Sequence, residues 1–188
     1  TIGLVGMNEA CLNAKWVGKD LTNAEAQNFT KDVLNHMRER LSDYQEKYGD
    51  LYNLEATPAE STSFRLAKHD LKHYPDIITA AKDEDQTPYY TNSSHVPVWY
   101  KCSVEHKAKV EAPYHDMENA GHIFYVELDG DATQNLEAFE KIVLRVRFAF
   151  PIEIVVQLAV FVGQGAVRRS GDGPAVPVGG VGTGELTV

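Results

Sequence analysis

Between Asn23 and Tyr48 the chain carries apolar residues at Ala26, Phe29, Val33, Met37, Leu41, Tyr44 and Tyr48, every third or fourth position, until Gly49 ends the run. Side chains spaced this way share one face of an α-helix, so the segment predicts a long helix from about Asn23 to Tyr48. Thr22 followed by Glu25 has the form of a capping box at its start. The flanking text is β-like. Thr1 to Val5 reads as a buried strand ended by Gly6, after which "MNEACLNA" opens a short helix. "DLYNLEA" reads as a second short strand running into a helix start at Thr57-Pro58, whose buried face carries Phe64, Ala67 and Leu71. Strand, turn and helix in that order form half of a parallel βα unit, and the fold class is α/β.

Further along, "AAKDEDQTP" is polar and loop-like, and "YYTNSSHVPV" has the character of a strand broken by a polar bend. "GHIFYVEL" predicts another strand, Asp129, Gly130 and Asp131 turn the chain, and Leu136, Phe139, Ile142, Val143 and Val146 mark an amphipathic helix ending near Arg147. The character then changes. "FAFPIEIVVQLAVFVG" is an apolar, β-prone run, and the glycine-, valine- and proline-rich text after it has no helical period and little to bury as a core of its own. The organisation read from this is a structured region at 1–147 and a divergent tail at 148–188.

With 188 residues, 43% of them hydrophobic, the chain can build a core. Its net charge of -9, from 27 acids against 18 bases, argues against direct binding to the polyanionic backbone of a nucleic acid, but leaves room for a pocket that takes a free nucleotide. Cys11 and Cys102 are the only cysteines, too few for a disulfide framework or a four-thiolate zinc site. No apolar stretch reaches the roughly 18 residues of a membrane span, and no signal sequence is legible. The expectation is a soluble, cytoplasmic protein that acts without a membrane. The opening "TIGLVG", apolar and without an initiator methionine, reads as a cut made inside a domain.

Candidate sites begin with "NLEATPAESTS" at 53–63. Thr57 as N-cap, Pro58 at the first helical position and Glu60 at the third make a capping box, which is the simpler reading of these residues. The leading N–H groups of the same helix and the hydroxyls of Thr57, Ser61, Thr62 and Ser63 could equally cradle a phosphate. In "YYTNSSHV" the density of hydrogen-bonding groups suits either a binding loop or a turn that satisfies its own backbone through Asn92 and Ser93. Seven histidines raise the question of a metal. His69 and His73 sit four apart, yet no Glu follows His69 as in zinc proteases, and solvated surface histidines are the reading preferred, with no metal site. Cys102 with His106 is a weak pair, and Cys11 reads as a small buried side chain.

Taken together, "GLVGMNEAC", "YGDLYNLEATPAES", "RLAKHD", "PDIITA", "YYTNSSHVPV" and "EAPYHDMENAGHIFYVELDGDATQNLEAFEKIV" occur in an order that resembles the anaerobic, glycyl-radical ribonucleoside-triphosphate reductases, over about Thr1 to Arg147. The resemblance implies the C-terminal part of a ten-stranded α/β barrel and reduction of ribonucleoside triphosphates to deoxyribonucleotides, the precursors for DNA replication. It implies a glycyl radical made by a radical-SAM iron-sulfur activating enzyme, a thiyl radical that takes a hydrogen from the ribose, formate or a dithiol as reductant, ATP binding, a zinc site and a homodimeric parent. Neither the thiyl cysteine nor the radical glycine is recognisable here, and Cys11 is not in the finger-loop motif. On this resemblance Thr57, Ala59, Ser61 and Thr62 become phosphate-side contacts. Glu60 becomes a catalytic candidate moving protons between 2'- and 3'-oxygens, and Asn92, Ser93 and His95 line the same cavity.

After Arg147 the chain departs from the pattern. Where relatives continue into a cysteine-rich zinc ribbon and the radical loop, this text is cysteine-free, and a shifted reading frame or broken gene is preferred over a genuine replacement. The expectation is therefore a piece of the reductase that is inactive alone, with no cofactor of its own. Its unpaired strand edges would favour self-association. Rival readings are another glycyl-radical enzyme resembling pyruvate formate-lyase, and a non-catalytic nucleotide-binding or assembly module.

Overall fold

The computed structural model describes residues 1–81, 87–128, 132–149 and 158–162. In chain order they form β1 (Ile2–Leu4), α1 (Met7–Asn13), α2 (Ala24–Tyr48), β2 (Leu54–Ala56), α3 (Ser61–His73), α4 (Val104–His115), β3 (Phe124–Leu128), a 3-10 turn at Ala132–Gln134, α5 (Leu136–Ala149) and β4 (Leu158–Val162). β1 pairs in parallel with β2, Ile2 opposite Leu54. β3 pairs in parallel with β4, Phe124 opposite Leu158. A parallel bridge between Glu55 and Gly121 joins the two pairs, supported by Ala56 N–H donating to Gly121 O at 3.0 Å and Ala120 N–H to Leu54 O at 2.8 Å. The fold is α/β, as expected. A ten-stranded barrel is not what the described residues contain; they hold two two-stranded parallel sheets.

The long helix forms where its periodicity places it. Its cap is Asn23, whose side chain accepts from Glu25 N–H at 2.9 Å, while the Thr22 hydroxyl turns instead to Asp20. Gly49 closes it in the left-handed conformation at φ 75°, where a residue without Cβ is favoured. The deepest line of α2 is Ala26, Thr30, Leu34 and Leu41, turned slightly from the predicted stripe, and Tyr44 and Tyr48 stay exposed. Thr30 can sit inside because its hydroxyl donates to Ala26 O at 2.8 Å and meets the Cys11 thiol at 3.6 Å.

Two apolar clusters lie along α2. Met7, Cys11, Leu21, Ala26, Val96 and Val110 form one; Leu34, Leu41, Leu54 and Tyr114 form the other. A third, Ala108, Phe124, Val126 and Val146, packs α4 and α5 on β3. β1 is less buried than expected. Ile2 is exposed and only Leu4 reaches the core, because among the described residues β1 has β2 as its single strand neighbour. On α3 Ala67 is buried, whereas Phe64 and Leu71 are half-buried at the rim, Phe64 resting against Tyr89.

Other departures concern the second half. "YYTNSSHVPV" is a loop, not a strand, and it meets the residue just after β1 through one antiparallel bridge, Val5 to Asn92. The expected turn at Asp129–Asp131 and the tail beyond Val162 lie outside the described residues. β4 falls within the β-prone run.

Gly3 marks a close approach. A Cβ built there would stand 1.9 Å from Thr57 Oγ1, so Gly3→Ala is expected to displace the Thr57 turn and cost about 1–3 kcal/mol in a urea melt. The double variant with Thr57→Ala should recover part of the loss. Leu34→Ala, at a fully buried position, should cost about 2–5 kcal/mol in the same measurement.

Candidate functional site

The helix start flagged in the sequence is built differently from a capping box. α3 begins at Ser61, and its N-cap is Glu60, not Thr57. Glu60 has φ 44° and ψ -121°, and its side chain makes no capping hydrogen bond. Such dihedrals belong to the first central residue of a type II′ turn, a place for glycine. A carboxylate-bearing residue held there stores about 1–3 kcal/mol of backbone strain. Two local contacts and one long-range contact sustain the turn: Ser63 Oγ donates to Glu60 O at 2.7 Å, Thr62 N–H to Ala59 O at 2.8 Å, and Ala59 N–H to the distant Asn92 Oδ1 at 3.2 Å. The capping-box reading fails because Pro58 and Ala59 are spent on the turn, and the helix starts later.

Asn92 thereby ties the α3 start to the 91–96 loop, and that loop is held by three buried carboxylates. Glu9 on α1 accepts from the Thr91 N–H at 2.9 Å and hydroxyl at 2.8 Å. Glu118 accepts from the Ser93 and Ser94 hydroxyls at 3.0 Å each, and from His122 Nδ1. Glu111 on α4 accepts from Val96 N–H at 2.9 Å and meets His95 Nδ1 at 3.2 Å. Burial pushes Glu111 up, but the neighbouring His95, Lys107 and the Val96 N–H together outweigh it and hold its carboxyl below the usual range.

The predicted site residues therefore divide. Glu60, Ser61 and Thr62 are exposed at the mouth of α3, Thr57 and Asn92 are half-buried behind them, and Ala59 is buried. Ser93 and His95 are buried as well, with their polar atoms engaged inward by Glu118 and Glu111. Tyr125 links the groups: its ring meets His95 edge-on at 5.1 Å, and burial together with the Glu60 carboxylate raises its phenol. Tyr125 and Lys107 also line an open cleft of about 250 Å³, which does not include Glu60 or Asn92.

The histidines need a correction. His36, His69, His73 and His106 are exposed, in line with the surface reading, but His95, His115 and His122 are buried together. The His115 and His122 rings lie 3.7 Å apart, centre to centre, and His95 and His122 4.7 Å. Burial, with His122 alongside, pushes His115 down to about 3. Sequence reading passed over Glu111, His115, Glu118, His122 and Tyr125 entirely. A signal was there: the first four are spaced by four, three and four residues, the repeat of a single helical face. Cys11 is buried as expected, and burial raises its thiol.

This whole assembly lies within the stretch, residues 1–154, that matches the profile of the anaerobic ribonucleoside-triphosphate reductases. The chain belongs to that family. Among curated reductases it is 34% identical to the enzyme of Enterobacteria phage T4 over 142 residues, 76% of this chain and 21% of that protein. It is 27% identical to the reductase of Escherichia coli K12 over 143 residues, 19% of that protein. The chain thus spans about a fifth of the length of these reductases. In fold it is similar to the anaerobic ribonucleotide reductase of Thermotoga maritima with glycerol in the active site, at TM-score 0.55, 20% identity, and 77% of this chain against 23% of that one. The same reductase in complex with dATP and CTP also aligns at TM-score 0.55. No helix among the described residues is long and apolar enough to cross a membrane.

If Glu60 is kept at the cost of backbone strain, Glu60→Gly should stabilise the chain by about 1–3 kcal/mol in chemical denaturation, while Glu60→Ala, which keeps a Cβ, should not.

Proposed function

We propose that this chain forms part of the substrate site of an anaerobic ribonucleoside-triphosphate reductase, with the start of α3 receiving the triphosphate and Glu60 handling protons at the ribose. One observation carries the proposal: in a chain of this family, Glu60 stands exposed and uncapped in a strained turn at the mouth of a 13-residue helix with no acid in its first turn. The α3 dipole and its leading N–H groups favour an anion there. The hydroxyls of Ser61 and Thr62 add neutral donors, and Thr57 and Asn92 brace the turn from behind. Glu60 makes no capping hydrogen bond, and its charge adds to burial in raising the Tyr125 phenol, which leaves the carboxylate free to act as a general acid–base group. His95 and Ser93 act beneath it, fixing Tyr125 and the loop.

In the family the radical chemistry is supplied by a glycyl radical with a thiyl cysteine, raised by an iron-sulfur activating enzyme and reduced by formate or a dithiol. In this reading those groups come from outside the chain, and a homodimeric parent with ATP-dependent regulation is part of the same proposal. The donor set here does not fit a four-cysteine zinc ribbon, since Cys11 is enclosed between α1 and α2 and Cys102 is the only other thiol. No step is assigned to such a site. Alone, the chain binds nucleotide and does not turn over. Reductase relatives over three quarters of the chain favour this reading over a pyruvate formate-lyase relative.

Titration of a ribonucleoside triphosphate against the chain tests it. Wild type should bind, the double variant Ser61→Asp/Thr62→Asp should weaken binding by about tenfold or more through like-charge repulsion, and Glu60→Gln should bind at least as well as wild type. No binding by wild type, or indifference to the two aspartates, would overturn the proposal.

A further inference from the structure

Of the buried histidines the nucleotide reading uses only His95, and that as a brace for Tyr125 and the loop. His95 comes from the loop, Glu111 from α4 and His122 from the residues leading into β3, yet one ligand atom from each lies within 4.8 Å of the other two. All three residues are buried, at 4%, 0% and 5% exposure. As a plain hydrogen-bonded core this trio is incomplete. His122 Nδ1 is held by Glu118, but its Nε2 is buried with no hydrogen-bond partner, and a polar atom left unpaired in the interior gets nothing back for the water it has lost.

We propose that His95, Glu111 and His122 form a structural site for a divalent cation of the zinc, cobalt(II) or iron(II) class. Two imidazoles and one carboxylate are the donor set such cations take, and at bond lengths near 2.0–2.1 Å tetrahedral ligand atoms stand about 3.4 Å apart. His95 Nδ1 and Glu111 Oε2, at 3.2 Å, already have that spacing; the His122 ring has at most a short way to close. Glu118 on His122 Nδ1 is the carboxylate that fixes a ligating imidazole and leaves its Nε2 lone pair for the metal. Lys107 and the Val96 N–H occupy the other Glu111 oxygen, Oε1, so Oε2 is the one that ligates. On binding, His95 gives up its Nδ1 hydrogen bond to Glu111 Oε2 and carries its proton on Nε2 instead, so the ring stays neutral while one nitrogen–metal and one oxygen–metal bond replace one hydrogen bond. The cation would pin the loop, α4 and β3 to one another beneath Tyr125. The site stands whether or not the chain binds nucleotide.

The test uses the 188-residue chain, stripped with a chelator, dialysed and titrated with Co²⁺ and then Zn²⁺. Expected are one equivalent of Co²⁺ with the visible bands of a low-coordinate nitrogen–oxygen site, displacement by Zn²⁺, and a raised thermal midpoint with either metal. Glu111→Gln and His122→Asn should abolish saturable binding. Because those variants touch the core, Glu118→Gln, which keeps all three ligands, provides a second readout: binding should persist but weaken by about 10–100-fold. His69→Ala/His73→Ala removes the exposed histidine pair and should leave binding unchanged. Absence of a stoichiometric site in wild type, or loss of binding in the His69/His73 variant alone, would overturn the proposal.

Discussion

Three buried carboxylates, Glu9, Glu111 and Glu118, hold one short loop in place, and the geometry around Glu60 depends on them. A buried carboxylate is costly unless its oxygens are filled with donors. Here the donors are the loop's own: the backbone and hydroxyl of Thr91, the hydroxyls of Ser93 and Ser94, and the Val96 N–H. The cost of burying the acids and the need to satisfy the loop's polar groups thus cancel against each other. Regular sheet pairing could not do this, since Ser93 takes a left-handed φ of 38° that interrupts a strand. Once the loop is set, Asn92 reaches Ala59, and the turn before α3 follows.

That order of dependence explains what could be read from the sequence. α2 was legible because twenty-five residues of one periodicity override local detail. β2, β3 and α5 were legible because apolar alternation or periodicity ran up against turn residues. α4 was not anticipated: its buried positions are Ala108, Val110, Glu111, Tyr114 and His115, so two of the five, Glu111 and His115, are acidic or basic side chains, and Pro113 lies inside it. Burial of acids and histidines is a decision of tertiary partners, invisible until Ser93, Ser94 and Val96 are placed opposite them.

The candidate site shows the same division. "TPAES" was recognisable as a helix entry, but whether its acid capped the helix turned on one dihedral pair at Glu60, set by the long-range contact from Asn92 and not by local propensity. The residues chosen from "YTNSSH" as cavity-lining are split by the same contacts, Asn92 facing the turn while Ser93 and His95 face inward to acids from α4 and the segment after it. The strained Glu60 is exposed and makes no capping bond, while the loop beside it is held from within by buried carboxylates, so packing sets the neighbours and leaves the Glu60 side chain outside.

The seam between the two strand pairs is made largely of main chain: Ala56 to Gly121, Ala120 to Leu54, with Asn119 Oδ1 receiving the Leu54 N–H at 3.0 Å. Every residue except proline carries both a backbone N–H and a C=O, so most of this joint survives replacement of the side chains around it. Relatives can therefore drift to 20% identity and still superimpose at a TM-score of 0.55, because the joinery that sets strand succession is largely indifferent to spelling.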